Sequence, residues 1–473
     1  MSSYTISNSA LNPKRVFILQ KSELEKRFDP KFYAIEYKDN LDKIKRNKYK
    51  RLGDIVKFSS ETWNQKDFFV DTFPYIEISE IDTLSGEIQN ITQVDISEAA
   101  SRAKMLVREN DIIVSTTRPN RGAIALIKKE QDFSIASTGF SVIRNIINSE
   151  INRNYLFAVL RQEIILKQFE QRSSGGNYPA ITQEELSNVI IPFANAEKQQ
   201  KVIQIFENCF SQKQTNEAEA EKLLASIDDY LLAELGITLP TPPENTLKNR
   251  MFITSIKEVS GGRFDPNYHT KYFHDLFQSF ESGIYEYSQI RKYASFQAGY
   301  AFKSTDYLEQ SECLLITIKN IRQNQIDIKD ATYLPNDFFN LYKEFQIKID
   351  DLLIAMTGAT IGKVGIYNHL ENSLLNQRNG IIKPTNINSV YLMSLLNLNV
   401  FQQVILRNSN GGAQPNISET DIMRISIPVP PLSKQKEIAE HITNIRNQAQ
   451  ALKDKTKDLL KKASEEIEEI LLN

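Results

Sequence analysis

Gly175-Gly176-Asn177-Tyr178-Pro179-Ala180-Ile181-Thr182 returns 236 positions later as Gly411-Gly412-Ala413-Gln414-Pro415-Asn416-Ile417-Ser418. The same displacement carries Ile191-Pro192 onto Ile427-Pro428, Lys198-Gln199 onto Lys434-Gln435, and Arg27-Phe28-Asp29-Pro30 onto Arg263-Phe264-Asp265-Pro266. A constant offset at both edges of a long stretch marks a duplicated unit. Between the edges the register drifts: Asp111 to Gly122 matches Asp351 to Gly362 at an offset of 240, so four residues are gained in the interior. Fixed edges around divergent centres imply two copies of one scaffold that present two different surfaces.

At 473 residues the chain is too long for one core and fits two large units with helical connectors. A hydrophobic content of 41% and a charged content of 25% are those of a folded globular protein. Met1 to Ala10 is polar, without a basic stretch followed by an apolar one, and no run of about 18 apolar residues occurs anywhere, so a cytoplasmic protein without a membrane segment is expected. Cys209 and Cys313 stand at non-equivalent positions of the two halves, which rules out a disulfide framework or a zinc knuckle and points to buried thiols. The net charge of −2 and pI near 6.2 do not fit a protein that coats nucleic acid alone; a DNA reader of this composition needs clustered cations or a more basic partner. The basic run Lys43, Lys45, Arg46, Lys48, Lys50 and Arg51 reads as a solvated helix face.

From Ala196 to Leu235 the chain loses Pro and Gly and becomes helical in pattern. Val202, Phe206, Cys209, Ala220, Leu223, Ile227 and Leu231 form a ladder of fours and threes, with Lys213 and Asn216 on two middle rungs. The C-terminal ladder runs through Ile438, Ile442, Ile445, Ala449, Leu452, Thr456, Leu459 and Ala463, then shifts to Ile467 and Ile470, a stutter that locally unwinds a supercoil. Rods of roughly 55 to 60 Å exceed the width of a small domain, so the two helices are expected to pair with each other. Val202, Phe206, Leu223, Ile227, Leu231, Ile438, Ile442, Ile445, Leu452 and Leu459 are the candidate residues for this pairing and for partner docking. Gly236 and then Pro240, Pro242 and Pro243 stop the first helix. Within each half, short runs rich in Ile, Val and Phe between Gly, Asn, Ser and Asp punctuation predict strands at 111–115, 123–127 and 141–143, and at 352–355, 364–367 and 380–382. The spacing also predicts helices over 153–169 and 389–404. The fold class is α+β: a mixed region followed by a rod, twice.

Catalytic signatures are missing. Gly358-Ala359-Thr360-Ile361-Gly362-Lys363 has three residues between its glycines and Val364 after the lysine, so it is not a phosphate loop. A Gly-x-Gly-x-x-Gly crevice, an Asn/Asp-Pro-Pro-Tyr/Phe methyltransferase signature and a metal-ligating pair among His269, His274, His369 and His441 are all lacking, and no nucleophile–base set can be nominated. What remains is polar and lies in the divergent centres. Ser115-Thr116-Thr117-Arg118-Pro119-Asn120-Arg121-Gly122 gathers hydroxyls, an amide and two guanidinium groups in one turn, the groups that read duplex edges. Met356-Thr357-Gly358-Ala359-Thr360-Ile361-Gly362-Lys363 is the same turn with other side chains, and Lys319, Asn320, Arg322, Gln377 and Arg378 add polar clusters in the second half. Taken singly, any of these fits a solvated turn; as a set they favour contact with DNA.

Two tandem units, each closed by Gly-Gly-x-x-Pro-x-Ile-Thr/Ser, an Ile-Pro strand end, a Lys-Gln helix start and a long helix, resemble the specificity subunit of type I restriction–modification systems. Gly299 to Ser304 and Gly358 to Gly365 extend the resemblance, whereas Arg118-Pro119-Asn120-Arg121-Gly122 departs from the family's glycine-rich turn. The resemblance implies target recognition domains at 1–194 and 247–430, spacer helices at 195–236 and 431–473, and a Pro-rich linker at 237–246. The two helices would form an antiparallel coiled coil. Each domain would read half of a split double-stranded DNA site through Thr116, Thr117, Arg118, Asn120, Arg121 and Asn177, or through Lys303, Lys319, Asn320, Arg322, Thr357, Thr360, Lys363, Gln377 and Arg378. Two modification subunits would bring S-adenosylmethionine and methylate adenine, and motor-nuclease subunits would bring ATP and Mg, with no cofactor or metal on this chain. The other class open to the sequence is a two-domain coiled-coil adaptor that binds proteins and not DNA; a self-contained restriction enzyme or methyltransferase stands third, for want of motifs.

Overall fold

The computed structural model describes residues 19, 24–25, 27–64, 69–244, 246–251, 253, 256, 266–409 and 415–473. Arg263-Phe264-Asp265, Gly411-Gly412 and the Met1–Ala10 segment lie outside the described residues. The chain divides into two compact units, Met1–Ala218 with Leu452–Asn473, and Glu219–Ala451.

In the first unit, Val56–Ser59, Phe140–Ile146, Ile112–Ser115 and Ile124–Leu126 form an antiparallel sheet in that order. A second sheet orders Thr92–Asp95, Thr72–Ile76, Ile135–Ser137 and Ala103–Leu106. Ile112–Ser115 is buried along its whole length. Ile112 and Val114 pack into a core with Ile143, Tyr155 and Leu156, while Ile113 enters another with Ile76, Ala125 and Val142. Covered on both faces, this strand reads as a continuous apolar run rather than an alternation.

The second unit repeats the layering. Leu352–Ala355 lies third in a six-stranded sheet, with Leu352 and Ile354 in one core and Leu353 and Ala355 in another. Cys313–Ile316 is the centre of a three-stranded sheet between Thr332–Leu334 and Asn372–Leu375. Both cysteines are buried, and burial pushes the Cys313 thiol up to about 11.

The repeated edge motifs have matching mechanical roles. Tyr155 Oη donates to Pro192 O at 2.9 Å, and Tyr391 Oη to Pro428 O at 2.9 Å. The Gln199 side-chain carbonyl accepts from Asn152 N at 2.9 Å while its amide donates to Ala194 O; Gln435 accepts from Asn388 N at 2.8 Å and donates to Pro430 O. The Ile-Pro and Lys-Gln pairs are thus the two ends of a buried clasp that closes each mixed region onto the start of its long helix.

The helices expected over 153–169 and 389–404 are each broken in two. Arg153–Leu160 is followed by Glu163–Arg172, and Ser389–Asn397 by Asn399–Asn408 with a bend of 74°. Gln162 and Leu398 sit at the breaks in extended backbone. Their own helix propensity is good, but the context overrides it: the Gln162 amide caps the preceding helix at Ala158 O and its carbonyl accepts from the distant Ser464, while Asn397, next to Leu398, bonds both N and O of Val364. No single helix among the described residues is long and apolar enough to cross a membrane.

The long helices run from Ala196 to Glu234 and from Leu432 to Leu472. The first ends in a Schellman cap, with Gly236 N on Ala233 O at 3.0 Å and Ile237 N on Leu232 O at 2.9 Å. In the first unit, Val202 and Ile203 share a core with Ile467 and Leu471, and Asn216 bonds Thr456. In the second, Ile227 and Leu231 share a core with Ile438, Ile442 and Ile445, Tyr230 packs on His441, and Lys434 pairs with Glu234 at 2.6 Å. Leu223, Leu452 and Leu459 are half-buried, and Phe206 meets Phe157 edge-on and stacks on Phe210. The last rungs differ from the expected pair: Ile467 and Leu471 are buried and Ile470 is half-buried, because a second step of four follows the first. Lys213 and Asn216 do not interrupt the ladder; both are buried, the ammonium of Lys213 between Glu87 at 2.5 Å and Glu217 at 2.7 Å.

Candidate nucleic-acid interface

The polar turn of the first unit leaves the end of Ile112–Ser115 and docks on the repeated Gly-Gly segment. Arg118 N donates to Pro179 O at 2.7 Å, Ile181 N to Thr116 O at 2.9 Å, and Thr117 bridges Ala180. Two stretches about 60 residues apart in sequence therefore form one surface. Gly175 carries φ +107, and a side chain there would press on Tyr178 O at 3.1 Å, so only glycine folds the segment back this tightly.

Within this frame Arg118 is held in left-handed backbone at φ 48. Its guanidinium lies 4.4 Å from the Tyr178 ring centroid, and Nη2 donates to Asn177 O at 3.0 Å. Thr117, Arg118, Arg121 and Tyr178 line a cleft of about 540 Å³, which Tyr75, Glu77 and Arg102 also line. Arg102 donates to Glu77 at 3.0 Å, and this bond with the charge beside it raises the guanidinium pKa above its ordinary value. Asn120 and Asn177 are exposed beside the turn. The Thr116 hydroxyl faces inward and donates to Gly139 O at 3.0 Å, so it supports the turn and has its proton committed.

The second unit builds the same turn with the same bonds: Gly358 N on Pro415 O at 3.2 Å, Ile417 N on Met356 O at 3.0 Å, and a bridge from Thr357 to Asn416. Gly358, at φ 72, stands where the first unit has Arg118. Thr357, Thr360 and Lys363 are half-buried. Gly362 N closes onto Ala355 O at 2.8 Å, so the Gly358–Lys363 stretch finishes a strand connection and is no phosphate cradle.

Next to it, Met356 N donates to Arg378 O at 2.9 Å, and Arg378, exposed at φ 68, stands on the turn before Asn379–Pro384. Gln377 N bonds Tyr300 O at 2.8 Å, which brings the Gly299–Ser304 segment with exposed Lys303 to the same edge. Lys319 follows Cys313–Ile316 at that edge, since Asn376 N bonds Ile316 O.

One further candidate turns inward. Asn320 is 2% exposed; its side-chain carbonyl accepts from Thr317 and its amide donates to Asp327 O, so it caps a turn and offers nothing outward. Arg322 is exposed on the Ile321–Ile326 hairpin, whose tip is tied to Asn397 by Gln323.

Aromatic residues were not part of the expected set. Tyr178 lies inside the repeated segment, and Tyr300 packs on Phe302 at 5.0 Å, Tyr342 at 4.8 Å and Phe345 at 5.1 Å. Both occur in motifs already singled out, which is the signal that marks them.

The family model described as the type I restriction modification DNA specificity domain matches residues 44–225 and again 285–462. The chain is 25% identical over 440 residues to the type I restriction enzyme MjaVIII specificity subunit of Methanocaldococcus jannaschii, covering 89% of this chain and 91% of that one. It is 29% identical over 156 residues to the EcoKI specificity subunit of Escherichia coli, 32% of this chain and 33% of that one. A chain from a structure of complex assembly and conformational transition in the type I R-M system is 20% identical, with a TM-score of 0.47 over 90% of this chain and 96% of that one. The chain belongs to the type I restriction–modification specificity subunits and carries their DNA specificity domain twice.

Proposed function

We propose that each unit reads one half of a split DNA site with the turns gathered at its strand ends, and that adenine methylation and restriction are carried out by partner subunits. One observation carries this reading: a single hydrogen-bond frame presents two unlike sets of side chains. In the first unit the set is Thr117, Arg118, Asn120, Arg121 and Asn177, with Tyr178 under Arg118. In the second it is Lys303, Lys319, Thr357, Thr360, Lys363, Gln377 and Arg378. A guanidinium can bond guanine O6 and N7 together, and a Gln or Asn amide can do the same to adenine N6 and N7, so unlike sets specify unlike half-sites. The adaptor reading draws no support from the family to which the chain belongs.

The chain supplies recognition, and two modification subunits supply S-adenosylmethionine and methyl transfer. Motor-nuclease subunits supply ATP, Mg and cleavage. A near-neutral net charge suits this division, because the partners can add the cations that bind phosphate.

The long helices act as an antiparallel coiled-coil spacer and docking platform. The falling order of contacts, Glu234 with Lys434 and Tyr230 with His441 in the second unit, and the Asn216–Thr456 bond in the first, supports this arrangement. Adding one heptad to both helices lengthens the spacer by about 10 Å, close to three base pairs. Mapping of methylated sites after expression with a modification subunit should show a spacer longer by about three base pairs in the heptad variant; an unchanged spacer excludes the ruler.

A further inference from the structure

The two long helices are copies displaced by 236 positions, so each could pair with its own twin on a second molecule as readily as with its sister. In the middle of the pair, 215–222 against 451–458, the copies share no residue. Asn216 is 8% exposed and donates its amide to Thr456 Oγ at 3.1 Å; Thr456 is 4% exposed and donates its hydroxyl to Leu452 O at 3.0 Å. The duplication places Leu452 at the counterpart of Asn216 and Ala220 at the counterpart of Thr456. Buried Lys213, tied to Glu87 and Glu217, has Ala449 as its counterpart. The exposed flanks invert their charge: Glu217, Glu219 and Glu221 of the first helix correspond to Lys453, Lys455 and Lys457 of the second.

The register of the Asn216–Thr456 bond puts Glu217 on the flank that carries Lys453 and Glu219 on the flank that carries Lys455, while Glu217 also pairs with Lys213 of its own helix. The same register between two first helices sets Asn216 against Ala220 and puts Glu217 and Glu219 on flanks that meet their own copies, which leaves a buried amide without a partner and brings like charges together. Between two second helices it sets Thr456 against Leu452, where the hydroxyl keeps its bond to its own helix, and the fault is one of charge alone, with Lys453 and Lys455 on flanks that meet their own copies. A single buried polar pair is a well-attested means of fixing helix register and partner.

We propose that Asn216, Thr456 and the charge-inverted flanks form a pairing code that holds the two helices of one chain together and rejects a second copy of this chain. The code rests on the antiparallel pairing put forward above. The full-length protein is co-expressed with two different tags, and one tag is used to capture the other. The native chain should show only background co-capture and the mass of a monomer. Asn216→Leu with Thr456→Leu should raise co-capture at least tenfold and add a dimer peak. The reciprocal exchange Asn216→Thr with Thr456→Asn keeps the polar pair and should behave as native. Native-level co-capture by the apolar double variant, or strong co-capture by the native chain or the reciprocal variant, would overturn the code. Failure of the underlying pairing is seen separately: Asn216→Cys with Thr456→Cys should cross-link within one chain on oxidation, and absence of that cross-link removes the pairing itself.

Discussion

The turns after Ile112–Ser115 and Leu352–Ala355 share their main-chain bonds but exchange two residues. In the first unit the left-handed position holds Arg118, and the residue whose carbonyl receives Thr116 N is Gly139. In the second, the left-handed position holds Gly358, and the residue that receives Met356 N is Arg378. Glycine and arginine have changed places. The lesson is that this frame is built from backbone, so a guanidinium can be moved from one turn to its neighbour without rebuilding the sheet beneath. Left-handed backbone costs a residue with a Cβ roughly 1–2 kcal/mol, and Arg118 accepts it while stacked on Tyr178.

The second frame is least tolerant of change at Gly299. A Cβ there would stand 2.0 Å from Asn376 O, a backbone atom that cannot move aside cheaply. Gly299→Ala should destabilise the second unit by about 3 kcal/mol, measured by urea unfolding, and abolish its half-site while the first is still read. Equal loss of both half-sites would show that the two frames are not independent.

Next in size is the exchanged pair. Arg118→Gly supplies the residue that the second unit already uses, so the fold should be as stable as the native one or slightly more so. Discrimination at one half-site should nevertheless fall by about 1–3 kcal/mol in competition binding. Arg378→Ala should do the same at the other half-site; if either variant weakens both half-sites alike, the arginines bind phosphate instead of bases.

The smallest effect belongs to the stack. Tyr178→Ala should reduce discrimination at the first half-site by about 0.5–1 kcal/mol, and Tyr178→Phe, which keeps the ring, should restore it. Equal loss in both variants would assign the effect to the hydroxyl.

Much of the fold is legible in the sequence because its signals are local. The long helices follow from apolar ladders of fours and threes, with Gly and Pro stops after the first, and the buried strands from runs such as Ile112-Ile113-Val114. The breaks at Gln162 and Leu398 are not legible, since both residues suit a helix and the long-range bonds beside them, Ser464 to Gln162 and Asn397 with Val364, have no local signature. The site is half legible. Arg118 and Arg378 stand out as cations in polar turns, but the docking of Ser115–Gly122 on Gly175–Thr182 is a long-range contact without a local signature. Asn320 shows the opposite error, for a polar residue in a polar turn can be buried and spend its hydrogen bonds within the turn, on Thr317 and Asp327.

The clasps from Gln199 to Asn152 and from Gln435 to Asn388 seal each unit behind its variable portion. Length changes between the halves are therefore absorbed upstream of the clasp, as the return from an offset of 240 to 236 records. Genetic exchange with breakpoints outside this portion can import a foreign specificity while the first turn of the long helix stays fixed in phase.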